Sequence, residues 1–193
     1  MSGQDSDISH PISHISHLFS LSLNLKSTIM KLLNILFFSV LFIQVAFGQA
    51  DRDAVNQVMD QWHKAAGEAN FKEYFDLMGE SSIFIGTDAT ERWNKQEFMD
   101  YAKPHFDKGK AWNFTSLERN VDFSEDGKTA WIDELLNTQM KICRGSGVLV
   151  KENGKWLIKH YVLSMTIPND LVDQVVPLKS DIEDKIIEEY KLK

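Results

Sequence analysis

The chain has 193 residues, 43% of them hydrophobic and 25% charged, which is the balance of a globular protein and not of a fibrous or disordered one. Its formal charge of -7 provides no basic stripe for a phosphate backbone, so nucleic acid is excluded as an expected partner. There is no repeat at the ~20–50-residue period of solenoids and propellers, and a single domain is expected.

In chain order, residues 1–29 form a low-complexity run of Ile, Ser and His. His10, His14 and His17 have the spacing of metal ligands on one helix face. Their position ahead of a signal peptide marks the run instead as a start assigned too early or a removed leader, expected to be disordered and to bind no metal. Residues 30–49 read as that signal peptide. Lys31 precedes a mostly apolar stretch, Leu32 to Phe47, that falls short of the ~20 residues needed to span a bilayer, and Ala46 and Gly48 supply small residues for cleavage. Cleavage is placed near Gly48 or Ala50. The protein is expected to be exported, periplasmic or extracellular, and to meet the membrane only during export; an uncleaved amino-terminal anchor is the alternative. Cys143 is the one cysteine, so no internal disulfide can form and the ~143 residues after cleavage must be held by packing. Cys143 reads as a small buried hydrophobe.

Val55, Val58, Met59, Trp62, Ala65, Ala66 and Ala69 recur at helical spacing and define a first amphipathic helix, with His63 off the apolar stripe and expected to be exposed. Asn70 and Glu73 form a capping box for a second helix carrying Phe71, Tyr74, Phe75 and Met78, stopped by Gly79. A strand through Ile83, Phe84 and Ile85 runs into GTDATERW at 86–93. Asn94 and Glu97 then open a third helix, which Pro104 should kink or end early. From Ala111 the period changes to two. Trp112 to Phe123, TAWIDELLNTQMKI, CRGSGVLVKE and KWLIKHYVLSMTI read as four consecutive antiparallel strands, with turns at Asp126–Gly127 and Asn153–Gly154. Pro168 ends the sheet, and one or two helices occupy 171–193. The fold class is α+β, with helices covering one face of a curved antiparallel sheet.

This order, together with GTDATERW at 86–93, DELL at 133–136, CRGSGVL at 143–149 and YVLSMTIPND at 161–170, resembles the SnoaL-like branch of the nuclear transport factor 2-like superfamily over about residues 51–170. The resemblance implies a cone-shaped domain whose bent sheet wraps a pocket closed by three helices. It implies a scaffold used for ketosteroid isomerisation, polyketide cyclisation, dehydration and plain binding, and a homodimer formed through the convex face of the sheet.

Candidate site residues follow from alternation and from the cost of burying charge. On the last strand Trp156, Ile158, His160, Val162 and Ser164 share one face; if that face lines the pocket, His160 is the natural general base. On the strand at 130–136, Asp133 or Glu134 must share a face with aliphatic side chains, which requires a partner from Arg92, Arg119 or Arg144 or a carboxyl that stays protonated. Gly145, Ser146 and Gly147 read as a β-bulge or bend and not as a phosphate loop. Neither HExxH, clustered Cys and His, nor GxSxG is present, so no metal or organic cofactor is expected. The reading is an exported protein that binds a small apolar or carbonyl-bearing molecule. Trp62, Trp93 and Phe98 are the expected walls, and Asp88, Arg92, His105, Glu134, Arg144 and His160 the polar contacts. The alternatives are a cofactor-independent isomerase, cyclase or dehydratase using His160 and Glu134, and a protein-interaction module.

Overall fold

The computed structural model of the chain describes residues 30, 31, 33 and 48–192. The expectations for residues 1–29, and for most of the signal peptide at 30–49, lie outside the described residues. Two units are distinguished, Met1–Ala50 and Asp51–Lys193, and the elements below belong to the second.

Helix α1 covers 51–67 and buries Val55, Met59, Trp62, Ala65 and Ala66, the stripe expected from its spacing. Asp51, inside a helical run already present at 48–50, ties it to the sheet by accepting hydrogen bonds from Lys151 Nζ (2.5 Å) and Trp156 Nε1 (3.2 Å). Asn70 caps α2, Phe71–Asp76, accepting from the Glu73 amide at 3.2 Å. This helix is shorter than expected, because Met78 and Gly79 already belong to strand β1, Met78–Ile85. A three-residue strand, β2 (Arg92–Asn94), then forms at the end of the GTDATERW stretch and runs into the cap of the next helix. Asn94 and Glu97 make the full capping box of α3, Lys95–Asp107. Pro104 does not end that helix. It lies on the exposed side, where water can satisfy the carbonyl it leaves free, and Phe106 is buried beyond it.

Strands β3 (Thr115–Phe123), β4 (Thr129–Thr138), β5 (Lys141–Glu152) and β6 (Lys155–Met165) are the antiparallel series read from the sequence. Asn153 and Gly154, with φ of 50° and 78°, adopt the left-handed conformations that a tight hairpin turn requires. The sheet order is β2-β1-β6-β5-β4-β3, open at both edges, and β1 joins it in parallel to β6. Helices α1 to α3 cover the concave face. A 3-10 turn, Asn169–Leu171, leads to α4, Val172–Lys191, none of whose side chains is buried.

The register holds the main surprise. Val148 pairs with His160 but Leu149 pairs with Ile158, so β6 spends two residues, Lys159 and His160, against one step of β5. Such a bulge reverses the side-chain alternation. Trp156 and Ile158 point inward, as do Tyr161 and Leu163, whereas His160, Val162 and Ser164 pass to the convex face. The face on which His160 follows Ile158 by simple alternation therefore does not exist.

Candidate functional site

Aromatic rings fill most of the cone. Trp62 stacks on Tyr74 with centroids 4.8 Å apart, Phe84 stacks on Phe98 at 4.0 Å, and Tyr161 meets the edge of Trp62 at 4.7 Å. Behind this cluster lies one buried carboxylate. Glu134 Oε1 accepts from His63 Nε2 and from the Tyr161 hydroxyl, both at 2.8 Å, and Oε2 accepts from Arg119 Nε at 2.9 Å. A carboxylate bonded in this way can only accept, which places the His63 proton on Nε2. Arg119 continues outward to Asp60 Oδ1 at 2.8 Å. Burial acts to raise the Glu134 carboxyl, but the hydrogen bond and field of His63, the Arg119 charge and the Tyr161 hydroxyl outweigh it and hold the group below its ordinary value. Burial, reinforced by the Glu134 charge, pushes the Tyr161 phenol well above its own.

The sequence explains why this network forms. Glu134 lies opposite Gly145, and a Cβ at that glycine would stand 2.0 Å from the Tyr161 hydroxyl and 3.0 Å from Glu134 Cγ. Gly145 is therefore the space in which phenol and carboxylate meet; the bulge expected at 145–147 is not there, since β5 pairs with β4 in unbroken register through Gly145, Ser146 and Gly147, and the bulge lies instead in β6 at Lys159–His160. Asp133 takes the other face, where it accepts from Asn120 Nδ2 at 3.1 Å. Cys143 is buried among the core residues.

At the open end of the cone the rings do not close, leaving a cleft of about 230 Å³ between β1, α3, the α3–β3 connection and the β4–β5 turn. The rings of Trp93, Phe98, Tyr101, Trp112 and Phe114 line it together with Met140 and Leu163, and Glu91, His105 and Gln139 are among its polar groups. Trp93 stacks on Tyr101 at 4.5 Å and lies nearly parallel to Phe98 at 5.7 Å. Larger hollows exist, such as one of about 400 Å³ that includes Lys110, Asn113, Thr115 and Asn137. They lack this enclosure by ring faces.

The loop of GTDATERW forms the rim. Its charges satisfy the loop's own backbone: Thr90 N and Oγ1 donate to Asp88 Oδ1 at 2.9 and 2.6 Å, and Asp88 N donates to Glu91 Oε2 at 3.1 Å. The Thr90 hydroxyl and amide lower the Asp88 carboxyl. Glu91 folds back over Gly86, where a Cβ would stand 2.1 Å from Oε2, so any larger residue there would displace the Glu91 carboxylate from this position. Burial and the Glu91 charge together raise the Tyr101 phenol above its ordinary value.

Of the expected site residues, Trp93, Phe98 and His105 line the cleft, and Asp88 shapes its rim. Trp62 and Glu134 are sealed in the interior. Arg144 and His160 lie on the convex face, and Arg92 is exposed on the side of β2 away from Trp93, with no ion pair among the described residues. His63, expected at the surface, is 5% exposed and bonded to Glu134. Met59 and Ala66, four residues before and three after it, are buried on the same side of α1, and that spacing was the available signal. Glu91, Tyr101, Trp112 and Gln139 also line the cleft and are not among the expected site residues. Three belong to segments whose inward direction is set by tertiary packing, and the aromatic run around α3 was the only local hint.

An unclosed, bent six-stranded sheet with helices over its concave face is the cone of the nuclear transport factor 2-like class. The SnoaL-like domain family matches residues 55–168, and the chain belongs to that family. A nuclear transport factor 2-like protein of unknown function from Pseudomonas putida is 11% identical, with a TM-score of 0.55 over 63% of this chain and 91% of its own. A nuclear transport factor 2-like protein from Cytophaga hutchinsonii is 14% identical, with a TM-score of 0.50 over 60% of this chain and 98% of its own. The association domain of CaMKII from C. elegans is 18% identical, with a TM-score of 0.50 over 61% of this chain and 97% of its own. At these identities the likeness concerns the fold. No curated protein matches the sequence.

Proposed function

We propose that this is an exported binding protein for a small, largely apolar molecule, held in the aromatic cleft at the mouth of the cone. The observation that carries the reading is the contrast between a filled interior and an end where Trp93, Tyr101 and Trp112 still present accessible surface around a few polar groups. A cleft of about 230 Å³ is below the ~300–1,000 Å³ of drug-sized sites, so the occupant is small. His105, Gln139 and Tyr101 offer hydrogen bonds to a carbonyl or hydroxyl. The test is thermal shift and calorimetry on residues 50–193 with a panel of small aromatic and carbonyl compounds, using Trp112→Ala as control. Binding by the parent that the variant loses supports the reading; binding unchanged in the variant contradicts it.

A cofactor-independent isomerase, cyclase or dehydratase would have to draw its acid and base from His105, Tyr101 and Glu91. Glu134 already holds three donors, and His160 lies on the opposite face of the sheet. Pairing of two copies, or docking of another protein, is supported by a different observation. Trp131 and Ile142 on the convex face are 47% and 48% exposed, and α4 leaves Val176, Ile182 and Tyr190 at 50%, 66% and 61%. Sedimentation of the purified protein tests the homodimer: a species of twice the chain mass supports it, and a monomer at high concentration opposes it.

A further inference from the structure

Glu91 gives the cleft a chemical preference that its aromatic walls alone would not. From the placement of this carboxylate we infer that the occupant is a small organic cation, a tertiary or quaternary ammonium on an apolar body. The inference rests on the reading that the cleft is the ligand site.

Among the described residues lining the cleft, Glu91 is the one formal charge and His105 the one basic group; neither Lys nor Arg takes part. Arg92, its neighbour in sequence, projects from the other side of β2, because Trp93 pairs with inward-facing Phe84 while Arg92 pairs with Ile85. The carboxylate is held in place by the loop: Oε2 accepts from the Asp88 amide at 3.1 Å, and Glu91 N donates to the Asp88 carbonyl at 3.0 Å. It is half-buried and faces ring systems.

A neutral apolar ligand entering this cleft would strip water from Glu91 and return nothing for it, a loss that opposes binding. A cation returns that loss through the charge pair and can gain again from the aromatic lining of Trp93, Tyr101, Trp112 and Phe114, since ammonium groups are attracted to aromatic faces. A bare metal ion fits poorly, because hard cations need six or more oxygen ligands and the cleft offers one carboxylate among rings. The chain's formal charge of -7 draws cations toward it at low salt.

The experiment compares choline with its neutral isostere 3,3-dimethylbutan-1-ol by calorimetry, on the parent protein and on Glu91→Gln. The glutamine oxygen can still accept the Asp88 amide, so the loop keeps its closure, and a thermal melt verifies the fold. The expected result is that choline binds the parent at least about tenfold more tightly than the isostere, and that Glu91→Gln brings the two within about twofold by weakening choline alone. Should the variant not fold, raising salt on the parent protein gives a second reading: choline affinity falls while that of the isostere holds. Equal binding of both probes by the parent overturns the cation and leaves the cleft as a binding site. Binding of neither overturns both.

Discussion

Two carboxylates divide this molecule. Glu134, deep in the cone, is bonded to His63, Tyr161 and Arg119, and both of its oxygens are occupied. Glu91, at the mouth, uses one oxygen to close its own loop and presents the rest of its charge to an open aromatic cleft. A shifted pKa at a buried acid is often a mark of chemistry, but here it marks support. A buried charge with every partner in place anchors α1 to β4 and β6, whereas chemistry and recognition require a group with capacity to spare.

Removing the buried partner should give the largest effect. Glu134→Ala removes the acceptor of three buried donors, leaving His63 and Tyr161 unbonded and Arg119 with only the exposed Asp60 as counter-charge, and should cost about 3–5 kcal/mol in urea unfolding. A loss under about 1 kcal/mol would mean that the network contributes little. The same group predicts a pH dependence of defined sign. Its folded pKa is depressed, so its contribution is complete above the unfolded carboxyl value of ~4.3 and fades as pH falls through the lower folded value. Unfolding midpoints should thus hold steady above about pH 5 and decline below about pH 4, with a shallower decline in Glu134→Gln. Gly145→Ala comes next. The new methyl must displace the Tyr161 hydroxyl, costing about 1–3 kcal/mol with the cleft intact. The smallest effect belongs to His160→Ala on the convex face, which should change stability by no more than about 0.5 kcal/mol and leave ligand affinity unchanged. A large loss of affinity there would move the site to the other side of the sheet.

What the sequence made legible was whatever is decided by a few neighbouring residues. The Asn94–Glu97 capping box, the Asn153–Gly154 turn and the apolar stripe of α1 all sit where local chemistry puts them. The site was less legible because three of its determinants act at long range. The bulge at Lys159–His160 exists only in the pairing with β5, and it exchanges Tyr161 for His160 on the inner face. His63 is buried where a carboxylate 71 residues away accepts its Nε2–H hydrogen bond. Strand β2 is three residues long and is held by β1, too short for any periodic signal. For the buried acid, alternation narrowed the choice to Asp133 or Glu134 and Arg119 stood among the possible partners, yet the side chain meant for the pocket proved to be part of the wall behind it.

The five tryptophans offer the most direct test, because they stand in different parts of the fold. Trp93 and Trp112 line the cleft, Trp62 is sealed in the core, Trp131 is on the convex face, and Trp156 donates its indole proton to Asp51. Titrating 15N-labelled protein with benzyltrimethylammonium while following the indole N–H resonances should shift Trp93 and Trp112 and leave Trp131 and Trp156 in place. Shifts confined to Trp131 or to Trp156, with the two cleft indoles unmoved, would contradict the account.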